Sequence, residues 1–105
     1  MRVLFDQGTP DPLRHALVGH VVATAFEQGW SNLSNGQLLQ VAEAAFDVMV
    51  TTDKNLRYQQ NLAGRKLAIL VLPFASWPKL QAQLPAIAAA VNALRPGDFI
   101  ELPMT

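Results

Sequence analysis

The chain has 105 residues, half of them hydrophobic, and its eight basic and eight acidic side chains cancel to a formal net charge of zero. That length suits one domain around one core, that hydrophobic fraction excludes a disordered chain, and neutrality means any affinity for nucleic acid must come from a local patch. With no cysteine, disulfides, thiolate zinc sites and cysteine nucleophiles are excluded, and a reducing, cytoplasmic compartment is expected. The opening residues run directly into a strand and an acidic residue, unlike a signal peptide, and prolines and a lysine break the longest apolar stretch. No segment is therefore expected to span a membrane.

Arg2 to Phe5 reads as a buried strand, and Gly8, Pro10 and Pro12 supply a turn and a helix start over about Pro12 to Val18, closed by Gly19. His20 to Ala25, rich in β-branched and small residues, predicts a second strand, followed by an irregular stretch through Gly29 and Trp30. Ser34 to Gln37 has capping-box spacing, and Leu38, Leu39, Val41, Ala42, Ala45 and Phe46 form the apolar stripe of the helix it starts. Asp47 to Thr51 predicts a third strand, and Asn55 to Leu62 a short helix that Gly64 can end in a left-handed cap. Lys66 to Leu72 is nearly continuous hydrophobe, as a central strand covered on both faces requires. The last long helix is expected from Ser76 to Leu94 with Pro78 in its first turn. Pro85 would remove an interior hydrogen bond and clash with the preceding turn, so a kink or two helices meeting near Leu84 are predicted. Pro96-Gly97 makes a turn before a terminal edge strand, Asp98 to Leu102.

Strands alternating with helices through short connections predict an α/β three-layer sandwich over residues 1–105, with a mainly parallel sheet in the approximate order 2-1-3-4-5. In that order strands one and three are neighbours, roughly 5 Å apart. Asp6 and Asp53 follow those two strands, so both fall in the crevice at the carboxyl edge where such folds bind ligands. Either aspartate alone is well explained as a turn or cap residue. Together they form a hard oxygen site suited to Mg2+ or Mn2+, which bind through one or two carboxylates and keep several waters.

Other residues are weighed by their distance from that edge. Gln7, Glu27, Asn35 and Asn55 can line the site, whereas Glu43, about 12 Å down its helix from Asn35, and Asp47, before its strand, belong elsewhere. Lys54, Arg57 and Arg65 with Tyr58 form the one basic cluster containing an aromatic, extended by Gln59, Gln60 and Asn61. A solvated helix face and a set of phosphate contacts both explain it. His15 and His20 have no partner ligands and read as structural, none of Ser31, Ser34 and Ser76 sits in a G-x-S-x-G elbow, and Trp30 and Trp77 read as packing residues.

Arg2-Val3-Leu4-Phe5-Asp6, Gly19-His20-Val21-Val22, Ser34-Asn35-Gly36-Gln37-Leu38-Leu39 and Val50-Thr51-Thr52-Asp53-Lys54-Asn55-Leu56, in that order, resemble the small PIN-like domain family, related to the VapC-type toxin nucleases of bacterial toxin-antitoxin pairs. The resemblance covers about residues 1–73, and its strongest element is the strand-Thr-x-Asp segment. It implies a metal-dependent ribonuclease with carboxylates clustered at the sheet's carboxyl edge, Asp6 and Asp53 holding Mg2+ or Mn2+ and a metal-activated water attacking RNA. Its implied partners are RNA, a cognate antitoxin-like protein and a second copy of the chain, for which the Ala86 to Val91 run is one candidate face. Asn35, Asn55 and Gln7 stand where the family often has further acids. Their neutrality supports an alternative, a weakened or inactive PIN-like binding module that acts through a protein partner. A phosphoacceptor domain also places aspartates after strands one and three, but it needs an acidic pair after the first strand and a lysine after the last, and neither is present.

Overall fold

The computed structural model describes residues 1–56 and 64–103. Five strands form one all-parallel sheet: β1 (Arg2–Phe5), β2 (Val21–Thr24), β3 (Val48–Thr51), β4 (Ala68–Val71) and β5 (Phe99–Glu101), in the order β2-β1-β3-β4-β5. Parallel neighbours need a crossover, and here the crossovers cover both faces. A 3-10 helix (Asp11–Ala16) lies between β1 and β2, α1 (Asn35–Ala45) between β2 and β3, and α2 (Trp77–Gln81) and α3 (Leu84–Ala93) between β4 and β5. None of the described helices is long and apolar enough to cross a membrane.

Alternation along each strand divides the core into two layers. Val3, Phe5, Val48, Val50, Ala68 and Leu70 face one side, where they meet Leu13, Leu80, Ile87 and Val91. Leu4, Met49, Ile69 and Val71 face the other, where they meet Leu38, Leu39 and Ala42 of α1. β3 and β4 are buried at every position, as expected of central strands covered on both faces. Each fully buried Val, Leu or Ile in such a layer contributes about 1.5–3 kcal/mol. Ile87 and Val91 are completely buried, so the Ala86 to Val91 run covers the sheet.

Local chemistry explains the boundaries. The Ser34 side chain accepts from the Gln37 backbone and the Gln37 side chain accepts from the Ser34 backbone, the reciprocal capping box. Pro85 falls in the first turn of α3, where its missing N–H costs nothing, so the apolar segment from Ser76 to Leu94 divides into two helices. The segment expected as a helix over Pro12 to Val18 is instead the 3-10 helix. It is too short for several α-helical turns, and threefold geometry stacks Asp11 on Arg14, which pair at 2.6 Å. Gly19 follows with φ +87°, the left-handed conformation that turns the chain into β2. Gly64 also has a left-handed φ of +78°, while most of the helix expected before it lies outside the described residues.

Candidate metal centre at the carboxyl edge

Phe5 pairs with Val50 across β1 and β3, so Asp6 leaves β1 beside the end of β3. Its backbone N–H extends the ladder by one bond, donating to the Val50 carbonyl at 3.1 Å. A turn follows at once, closed by the Thr9 N–H donating to the Asp6 carbonyl at 3.2 Å. This turn passes so close to β3 that a Cβ on Gly8 would sit 2.5 Å from the Thr52 hydroxyl oxygen.

The two aspartates are joined through Thr51, which is 1% exposed. Its hydroxyl donates to Asp6 Oδ2 and accepts from the Asp53 backbone N–H at 3.0 Å. Thr9 Oγ1 lies 2.9 Å from both Asp6 Oδ1 and the Val50 carbonyl, and its single proton serves one of them at a time. Asp53 Oδ1 accepts from the Asn55 N–H at 2.9 Å in an Asx-type turn, and Oδ2 accepts from the Asn35 side-chain amide at 3.1 Å. Every carboxylate oxygen of the pair thus has a donor, and these donors are neutral.

Burial pushes the Asp6 carboxyl above the ordinary aspartate value, and the neighbouring Asp53 charge pushes the same way. Hydrogen bonds from Thr51, Thr9 and the Gly8 N–H oppose the rise without cancelling it. Two carboxylates offer about eight lone-pair positions, of which these donors use five, so room remains for one hard cation that also keeps waters. Among the described residues no group of three or more His, Asp or Glu side chains could hold a metal ion.

The structure brings Asp6, Asp53 and Asn35 together as expected, with Asn55 contributing its backbone rather than its exposed side chain. Gln7 lines the clefts that contain Asp6 and donates its side-chain amide to the Ser31 carbonyl. Glu27 shares a cleft of about 470 Å³ with Asp6, Thr9 and Thr24, but its carboxylate is taken by Arg14 at 2.8 Å and the Thr24 N–H at 2.9 Å. These bonds hold its pKa below the ordinary glutamate value. Lys54 is exposed immediately after Asp53, and Arg57, Tyr58, Gln59, Gln60 and Asn61 lie outside the described residues.

Arg65 corrects the expected basic cluster. It precedes β4 and pairs with Glu43 at 3.0 Å, at the amino edge of the sheet, on the far side from Asp6. Glu43 and Asp47 are structural, as their positions imply: Glu43 also accepts from the Lys66 N–H, and Asp47 from the Arg2 N–H. His20 hydrogen-bonds Asn92 at 2.6 Å, and Trp30 packs edge-on against Phe46, both structural roles. The residues that the sequence reading passed over are Thr9 and Thr51. Their signal is the placement of hydroxyls within three residues of each strand-end aspartate.

Comparison with protein-family models, curated proteins and solved structures returns no match.

Proposed function

We propose that this chain is a PIN-like, metal-dependent ribonuclease, of the type that serves as toxin in a toxin-antitoxin pair, with one Mg2+ or Mn2+ held by Asp6 and Asp53. The observation that supports this reading is Thr51, whose hydroxyl joins the Asp6 carboxylate to the Asp53 backbone N–H and so brings together the aspartates that follow two neighbouring parallel strands at the sheet's switch point. A divalent cation there supplies Lewis-acid stabilisation of the charge that develops on a phosphodiester. Around it the chain provides orientation. Thr9 and Thr51 fix the Asp6 carboxylate plane, Asn35 and the Asn55 N–H fix that of Asp53, and exposed Lys54 provides a cation for an adjacent RNA phosphate. Manganese titration followed by RNA cleavage tests the proposal. Asp6→Ala and Asp53→Ala should each abolish metal-dependent cleavage, and activity unchanged in both variants would overturn it.

One observation favours a second reading, a binding module with weakened or absent cleavage. The donors already on all four carboxylate oxygens, together with the raised proton affinity of Asp6, compete with a metal. Under this reading the chain acts through an antitoxin-like protein partner. Purified protein would then bind no manganese yet retain that partner.

A further inference from the structure

Phe26 is 80% exposed, unusual for a large aromatic, and it lines the same cleft of about 470 Å³ as Asp6 and Thr9. It does not sit on a loose loop. The Thr24 hydroxyl accepts from the Glu27 N–H at 3.0 Å, the Phe26 carbonyl accepts from Gly29 at 3.0 Å, and the Ala25 carbonyl accepts from Trp30 at 2.8 Å. Gly29 closes this turn at φ +77°, and Arg14 clamps Glu27 from the 3-10 helix. Ala25 is buried and Trp30 partly buried on the α1 side, so the turn is anchored inward while Phe26, Glu27, Gln28 and Gly29 are presented outward, Phe26 being the aromatic among them.

We propose that the Phe26 ring is the platform on which one unpaired base of an RNA strand stacks, beside the Asp6–Asp53 pair. This rests on the ribonuclease reading of that pair. The cleft's charge favours a base over a phosphate at this position. Asp6, Asp11 and Glu27 line the cleft with Phe26, and one guanidinium, that of Arg14, is shared by Asp11 and Glu27, which leaves the lining net acidic. A phosphate would be repelled by this acidic rim, whereas a nucleobase is neutral, has a π-face for Phe26, and carries amino groups that carboxylates accept from. The volume lies in the range of small-ligand sites. Stacking is tolerant of sequence, so the platform selects single-stranded over paired RNA rather than one base over another.

Binding of a short unstructured RNA, of the same RNA annealed to its complement, and of manganese alone should be measured for the wild type, Phe26→Ala and Phe26→Trp. Phe26→Ala should weaken single-strand binding roughly 5- to 100-fold. Phe26→Trp should restore binding, with its indole emission quenched by RNA, and manganese affinity should be the same in all three. Unchanged single-strand affinity in Phe26→Ala, or equal affinity of the wild type for single and paired RNA, would overturn the platform while leaving the metal reading intact. A wild type that binds manganese but no RNA would overturn both the platform and the ribonuclease reading.

Discussion

The two edges of the sheet each carry a pair of carboxylates, and they treat them in opposite ways. At the amino edge Glu43 receives the Arg65 guanidinium and the Lys66 N–H, and Asp47 receives the Arg2 N–H. These bonds hold the Glu43 pKa below its ordinary value. At the carboxyl edge Asp6 and Asp53 receive two hydroxyls, one side-chain amide and two backbone N–H groups. Burial there raises the Asp6 pKa. Glu43 is thus paired with a cation of the chain, whereas these donors to Asp6 and Asp53 are neutral, the contrast on which the proposed cation site rests.

The largest test of this contrast adds charge where it is short. Asn35→Asp places a third carboxyl 3.1 Å from Asp53 Oδ2 in place of a donor. Manganese affinity should rise on the order of tenfold, because ligand charge count sets affinity in such sites. The metal-free protein should be less stable, since like charges then face each other. Calorimetric titration and thermal melts check the two effects separately.

Thr51→Val keeps the shape of the side chain and removes the hydroxyl that joins the pair. It leaves buried Asp6 Oδ2 and the Asp53 N–H without that partner, which should cost about 1–3 kcal/mol in denaturant unfolding. Loss of a bond that favours the charged form should also move the Asp6 pKa further up, a shift readable by carbon-detected titration.

Acid should separate the edges in sign. Asp6 has a folded pKa above its ordinary 3.8, so the fold binds more protons than the unfolded chain there. Its contribution to stability is fully present below 3.8 and declines as pH rises through the folded value. Glu43, held below its ordinary 4.5, contributes stability above that value and loses it as pH falls through the folded pKa. At neutral pH, Asp6→Asn should therefore stabilise the metal-free protein and Glu43→Gln should destabilise it, and each difference should shrink as the pH falls through that group's folded pKa. Melts across pH check the crossing.

The smallest expected effect concerns the cations. Arg65→Ala should leave manganese and RNA binding unchanged, because its partner is Glu43 at the far edge. Lys54→Ala should weaken RNA binding a few-fold and reduce its salt dependence. Equal effects of the two variants in filter-binding assays at two salt concentrations would erase the distinction between the edges.

The fold was largely legible because its signals are local and redundant. The Ser34 to Gln37 box, the continuous hydrophobe of β4 and the turn at Pro96-Gly97 each point to one geometry. Pro85 was legible for the same reason, since no interior helix position accepts it. The 3-10 helix was not, because α and 3-10 geometry share starting residues and differ only in how few turns the chain allows. Asp6 and Asp53 could be placed from strand order alone. Thr9 and Thr51 could not, because whether a threonine packs, caps or orients a carboxylate depends on a neighbouring strand. Arg65 misled for a related reason: near Lys54 in sequence, it lies beyond the next crossover, at the opposite edge of the sheet.

The central proposal is that Asp6 and Asp53 hold one external cation at the carboxyl edge. Anomalous diffraction from crystals soaked in manganese tests it most directly. The expected result is a single strong peak with oxygens of both Asp6 and Asp53 at about 2.0–2.2 Å, the rest of its coordination shell filled by water. A peak at the Glu43 and Asp47 edge, or none near Asp6 at saturating manganese, would contradict it.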